Sequence, residues 1–277
     1  MKLTTAKIIK YLTIAIIAVL ISFFWPRKKE VNNSPHIRDY NEIIATDTLR
    51  AITEYNSISF FADGNSVSGF HYELIRAFAA DKGIEVVIIP EMSFEKRLQG
   101  LQNGTFDIIA YGIPLTSEWK DSLSLTIPIT RSRQILVQRQ PDEDSIHTHI
   151  QSQIDLGGKT LYVEKGSPSI LRIRNLEDEI ADTIYIQEVE KYGQEQLIAM
   201  VAHGDIDYAV TDENIATTLI DSFPQLDINT GISFTQFYAW GVNKESPALL
   251  DSLNHWLTIF LQSREYEVIY RKYFKKG

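Results

Sequence analysis

From Leu49 onward the chain alternates short apolar runs with stretches of helical period, the layout of an α/β fold with mostly parallel strands. LRAIT (49–53), EVVIIP (85–90) and DIIAY (107–111) read as strands. Between them Leu74, Ile75, Phe78 and Ala79 give a helical apolar face that stops at Gly83. Phe94, Leu98 and Leu101 mark the next helix, closed by Asn103 and Gly104. A second set follows: TLYVE (160–164), TIYIQ (183–187), a helix through Leu197 and Val201, DYAVTD (207–212), and a helix from Glu213 to Ser222. The end of the chain holds FYAWGV (237–242) and one long helix in which Leu249, Leu253, Trp256, Leu257 and Phe260 share a broad face. Ser246 and Pro247 suit its cap and first position.

LQNGTFDIIAY (101–111) and VAHGDIDYAVT (201–211) share one pattern: helix end, Gly, one residue, apolar, Asp, apolar strand. Gly104 and Gly204 suit a left-handed helix C-terminus. The echo is compatible with two ordinary helix-to-strand turns and with two lobes built on the same plan.

Before Leu49 the pattern changes. Tyr11 to Trp25 is uncharged and follows Lys2, Lys7 and Lys10, the basic-then-apolar order of a secretory signal or signal anchor. ISFFWPRKK lacks the small residues of a cleavage site, and residues 8–25 approach the ~20 needed to span a bilayer. An uncleaved anchor in the cytoplasmic membrane is therefore expected over residues 1–30, with 31–46 as a polar spacer and the body outside, in the cell envelope.

The formal net charge is −9, but the first thirty residues carry six basic groups and one acid. The rest carries 21 basic and 35 acidic side chains, a net of −14, which makes nucleic acid a poor partner. With no cysteine, disulfides, thiolate zinc sites and a cysteine nucleophile are excluded.

Several segments resemble, in order, the bacterial family 3 extracellular solute-binding proteins. GFHYELIRAFAADKGIEV (69–86) is similar to the stretch where Gly-Phe-Asp precedes the first helix of that family. LQNGTFDIIAYGIPLTSEWKDSLSLTIPI (101–129) is similar to the next segment, with its Thr-x-x-Arg turn. DLGGKTLYVEKGSPS (155–169) and GDIDYAVTDENIA (204–216) resemble the second-lobe entry and the strand ending in a ligand-facing Asp. Within the family, DYAVTDENIATTLIDSFPQLDI (207–228) most resembles the N-terminal solute-binding-like domain of the F-type membrane-bound lytic murein transglycosylases. The resemblance implies a type II periplasmic-binding-protein-like fold, two α/β lobes with a ligand cleft between them. Lobe 1 is expected over 47–136 and 234–277, and lobe 2 over 137–233, with crossings near Gln134–Arg139 and Ser233–Tyr238.

The same resemblance points to ligand contacts. Asp212 stands where the family pairs an Asp with a ligand ammonium, and it is also a good helix N-cap. Trp119, after Thr116, occupies the place of the carboxylate-clamping Arg. Its single N–H and lack of charge cannot replace a bidentate cation, so it either stacks on a ligand or packs between lobes. Gly166 and Ser167 fit an anion-cradling loop. Tyr111, Phe60 and Phe61 are candidate apolar walls, Glu54 a candidate at a strand end, and Arg131 or Arg133 a candidate source of positive charge.

Chemistry beyond binding has little support in the sequence. Glu245-Ser246 is followed by Pro247, and the Gly-Leu-Met-Gln run of a transglycosylase does not occur, so its catalytic domain is not expected here. His147 and His149 are too few for a metal site. No Walker loop, nucleophile elbow or dinucleotide fingerprint is present. The expectation is a non-enzymatic, envelope-anchored binder without cofactor or metal, taking an amino acid, peptide or muropeptide. A regulatory role brings a murein hydrolase as partner, and the receptor of an amino-acid importer brings a permease. A third reading, a dehydratase-like enzyme on the same fold, would use Glu54 or Asp212 as its acid.

Overall fold

A computed structural model describes residues 36–64, 66–141 and 148–274. The expected anchor and His147 lie outside the described residues. Among the described residues no helix is long and apolar enough to cross a membrane.

Two mixed sheets follow one plan. In the first, β1 (Thr48–Thr53) lies between β4 (Glu85–Pro90) and β5 (Ile108–Pro114), all parallel, and β13 (Gln236–Val242) closes antiparallel on β5. In the second, β9 (Thr160–Glu164) lies between β10 (Tyr185–Val189) and β11 (Ala209–Asp212), again parallel, and β8 (Gln134–Arg139) closes antiparallel on β11. The short β6 (Ser124–Leu125) and β7 (Thr130–Ser132) pair with β13, and β12 (Leu226–Asp227) pairs with β8. A small hairpin, β2 (Phe61–Asp63) and β3 (Ser66–Ser68), stands apart.

The period-2 alternation of β1 and β5 sorts their side chains onto two faces. Leu49, Ala51, Ile108 and Ala110 pack against α2 (Phe70–Lys82) and α7 (Pro247–Phe260), while Ile52, Ile109, Tyr111 and Ile113 pack against α3 (Phe94–Gln102). In the second half, Leu161, Val163 and Val210 meet α4 (Ser169–Ile180), and Ile135, Val137 and Ala209 meet α5 (Gln194–His203). The helix α6 (Glu213–Leu219) starts directly at the end of β11. Gly104 and Gly204 take φ of +75° and +81°, as the repeated pattern demands. Gly104 carries a second constraint, since a Cβ there would collide with the backbone of His36.

The chain leaves the first sheet at Ser132 and enters the second at Gln134, so the first crossing is Arg133 alone. The expected crossing segment Gln134–Arg139 is a buried strand of the second sheet. The return runs from Ser233, whose hydroxyl accepts the Gln134 N–H at 2.9 Å, to Gln236. Two other differences have local causes. The described part of the expected spacer holds α1 (Tyr40–Ala45), with Ile43 fully buried. Asp39 ties α1 to α7 by accepting the N–H groups of Tyr40 at 2.7 Å and Leu249 at 2.8 Å. Arg38 beside it donates to buried Asp107, which also takes Arg50 Nη2 at 2.7 Å. The final helix is two, because α7 ends at Phe260 and α8 (Arg264–Phe274) folds back to pack Tyr266, Tyr270 and Phe274 on Phe70.

Candidate functional site

The carboxyl ends of the parallel strands bring Glu54, Tyr111, Glu164 and Asp212 to one region, where crevices form in sheets of this kind. A narrow cleft of about 30 Å³, open to solvent at its mouth, is lined by Phe94, Tyr111, Gln134, Glu164, Ser167, Gln194, Asp212 and Tyr238, among others. A second pocket of about 30 Å³ shares Tyr111, Gly112, Asp212 and Tyr238 with it, and adds Ser59, His71, Thr130 and Asn214. Polar contacts join the two sides. Gln194 Nε2 donates to the Tyr111 hydroxyl at 2.8 Å, Ser57 N–H to Glu195 at 2.7 Å, and the Ser57 and Thr218 hydroxyls meet at 2.7 Å.

At one end sits Arg97, fully buried. Its Nη2 lies 2.9 Å from Glu164 of the second sheet and 3.1 Å from Glu54 of the first. Its Nη1 donates to the carbonyls of Glu91 at 2.6 Å and Met92 at 3.0 Å, and the guanidinium lies 4.7 Å from the Tyr111 ring centre. Glu164 also accepts the N–H of Phe94 at 2.6 Å, so a carboxylate of one half caps a helix of the other. Burial raises the pKa of both Glu54 and Glu164, against the pull of Arg97. One guanidinium facing two carboxyls leaves room for a proton in the cluster.

At the other end Asp212 both ends β11 and caps α6. Its Oδ1 accepts the Ser132 hydroxyl at 2.7 Å and the Asn214 N–H at 2.9 Å. Oδ2 is buried, and the Tyr238 hydroxyl is the polar group of the protein that bears on it. Burial raises the Asp212 pKa to about 6, offset in part by its hydroxyl and N–H neighbours. Tyr238 beside it is raised well above the usual phenol range, first by its own burial and then by the Asp212 charge. Among the described residues no lysine or arginine lines either pocket.

The other sequence candidates fall in different places. Tyr111 and Ser167 line the cleft with Asp212. Glu54 is buried behind it on Arg97. Trp119, 8 % exposed, packs on Phe94 at 5.4 Å among Ile109, Ile113 and Leu123, and lines neither pocket. Apolar positions on β5 and Leu123, just after the 3₁₀ turn Ser117–Asp121, draw the indole into the first half. Thr116 is bonded to Glu118 at 2.9 Å. Phe60 packs edge-on against Tyr55 and Tyr72, and Phe61 on Tyr273, both away from the cleft.

The loop expected to cradle an anion has its donors engaged. Gly166 N–H goes to Glu188 at 2.9 Å, Ser167 N–H to the Glu164 carbonyl at 3.0 Å, and Ser169 N–H to the Ser167 hydroxyl at 3.2 Å. Arg133 is paired with Glu213 at 2.7 Å, and Arg131 is exposed. His149 lies 2.9 Å from Asp227, far from metal-ligating company among the described residues.

Reasoning from the sequence missed Arg97, Glu164, Gln194, Tyr238 and, as a cleft residue, His71. Arg97 stands three residues after Phe94 on an otherwise apolar face, and Glu164 ends its strand as Asp212 does, so both left a signal. Gln194 and Tyr238 left none.

Residues 49–276 match the family model described as bacterial extracellular solute-binding proteins, family 3. Curated relatives include the membrane-bound lytic murein transglycosylase F of Desulfosudis oleivorans, 25 % identical over 93 % of this chain and 54 % of that protein. That of Alcanivorax borkumensis is 26 % identical over 78 % of this chain and 45 % of that protein. The chain thus spans about half the length of these relatives. Among solved structures, a variant of the ArgBP of T. maritima superposes with a TM-score of 0.72 at 25 % identity, covering 85 % of this chain and 99 % of that one. An ancestral arginine-binding protein bound to arginine superposes at 0.71 and 25 %, covering 86 % and 100 %. The fold is accordingly that of a type II periplasmic binding protein, as the sequence led one to expect.

Proposed function

Since the chain belongs to the bacterial extracellular solute-binding proteins of family 3, we propose that it binds a small amine-bearing solute, an amino-acid-like molecule or cell-wall peptide, by closing its lobes around it. The observation that carries this reading is Asp212, a buried carboxylate held by hydroxyls and an N–H but by no cation, in a cleft that no lysine or arginine lines among the described residues. An ammonium group supplies the missing countercharge. The absence of an arginine at Trp119, and the engaged donors around Gly166, argue that the solute's opposite end is not held as a free carboxylate by a cation.

The arginine ligand of the ancestral arginine-binding protein fits an amine-recognising cleft. The likeness to murein transglycosylase F over half its length favours a wall-sensing or regulatory role at the envelope, with residues 8–25 as the membrane anchor. Binding rather than catalysis is the activity proposed. A catalytic acid would need to reach a solute, and Glu54, the alternative to Asp212, is wholly buried on Arg97.

Calorimetric titration with L-arginine, L-alaninamide and D-alanyl-D-alanine, each beside its N-acetylated form, tests the reading. At least one free amine is expected to bind, and its acetylated counterpart to lose at least tenfold. Equal binding of both forms, or binding of neither by any pair, would overturn it.

A further inference from the structure

His71 opens α2 and is 4 % exposed. Its Nδ1 is 2.9 Å from the indole Nε1 of Trp240, which is fully buried. An indole N–H only donates, so Nδ1 must offer its lone pair, and the proton of the neutral ring sits on Nε2. Nε2 turns toward Gly112 in the second pocket. A Cβ at Gly112 would lie 3.6 Å from Nε2 and 3.1 Å from the Tyr238 ring, so any larger residue there would crowd this opening.

Nε2 takes no part in the bond to Trp240. The same pocket holds Thr130 Oγ1, buried and unpartnered among the described residues, and the Asp212 carboxylate. A donor fixed in orientation, a hydroxyl and a carboxylate thus face one space that the fold leaves unfilled. Such groups cost free energy to bury unpaired, which makes a complementary solute worth binding.

We infer that this second pocket is a specificity subsite in which His71 Nε2–H reads an uncharged acceptor of the solute, a carboxamide or peptide carbonyl, while its amine lies on Asp212. This rests on the amine reading above and adds the chemistry of the solute's other end. Burial lowers the His71 pKa to about 3, so the ring stays a neutral donor at any pH near 7. A solute carboxylate would meet a neutral imidazole with the Asp212 carboxylate in the same pocket, whereas a carbonyl loses nothing there. The neighbours of the ring are Phe70 at 5.1 Å and Tyr111 and Trp240 at 6.2 Å, which hold it in place and keep water off.

The test is nitrogen-15 NMR of the histidine rings, with ethylamine, acetamide and L-alaninamide as probes. His71 is expected to carry its proton on Nε2 from pH 5 to pH 8. Acetamide and L-alaninamide should move the Nε2 resonance, and ethylamine should not. His71→Phe should weaken L-alaninamide at least tenfold. Because that variant strips Trp240 of its acceptor, the unmutated protein supplies the decisive readout. A proton found on Nδ1, or an Nε2 signal that neither carbonyl probe moves, overturns the inference. A shift with acetamide beside no binding of any amine would uphold the subsite and sink the amine reading, and the reverse pattern would sink the subsite alone.

Discussion

Glu164 and Asp212 end neighbouring parallel strands of the same sheet and face the same cleft, yet they meet different surroundings. Glu164 finds Arg97 at 2.9 Å and a helix N–H at 2.6 Å, both supplied by the opposite half. Asp212 finds the Ser132 hydroxyl and the Asn214 N–H on one oxygen and the neighbouring Tyr238 hydroxyl, but no cation among the described residues. The first carboxylate has its cation from the protein and holds the halves together. The second has hydrogen bonds but no cation, which is what a site kept for an ammonium needs. Burial of a carboxylate, then, does not mark a binding residue, whereas burial without a cation does.

Breaking the satisfied end should have the largest effect. Arg97→Met leaves Glu54 and Glu164 buried side by side without their cation and is expected to cost about 3–5 kcal/mol of stability, read from urea unfolding. At the other end Asp212→Asn should weaken binding of L-alaninamide by about 2–5 kcal/mol in calorimetry, while the unliganded protein loses far less stability than Arg97→Met does.

The pH dependence sharpens the contrast. The folded pKa of Asp212 is raised, to about 6, so its contribution to stability is full at low pH and is lost as pH rises through 6. Glu54 and Glu164 act in the same direction. Amine binding runs the other way, because it needs the ionised carboxylate: affinity for L-alaninamide should fall about tenfold per pH unit below 6. The smallest effect is expected at the turn that the sequence tied to ligand binding. Thr116→Val removes one half-buried hydrogen bond to Glu118 and should cost about 0.5–1.5 kcal/mol, with affinity unchanged within twofold.

The parts of this molecule that follow from periodicity were legible in the sequence. The short apolar runs LRAIT and DIIAY, the glycine stops at Gly83 and Gly104, and the repeated helix–Gly–Asp–strand pattern pointed to both sheets with their parallel cores. Asp212 was legible as a strand-end carboxylate. Side-chain direction was not. Trp119 sits beside the clamp motif in sequence, yet the apolar company of Phe94 and Ile113 turns it inward. Arg97 and Glu164 lie 67 positions apart, and no local pattern announces a pair formed only when the two halves meet. His71 gains its tautomer from Trp240, 169 positions away, a partner that spacing cannot supply.

The most direct test of the account is carbon-13 NMR of the Asp212 side-chain carboxyl, titrated without and with saturating L-alaninamide. The account predicts a pKa near 6 in the empty protein, falling by at least one unit when the ammonium arrives. A pKa unmoved by a bound amine would contradict it.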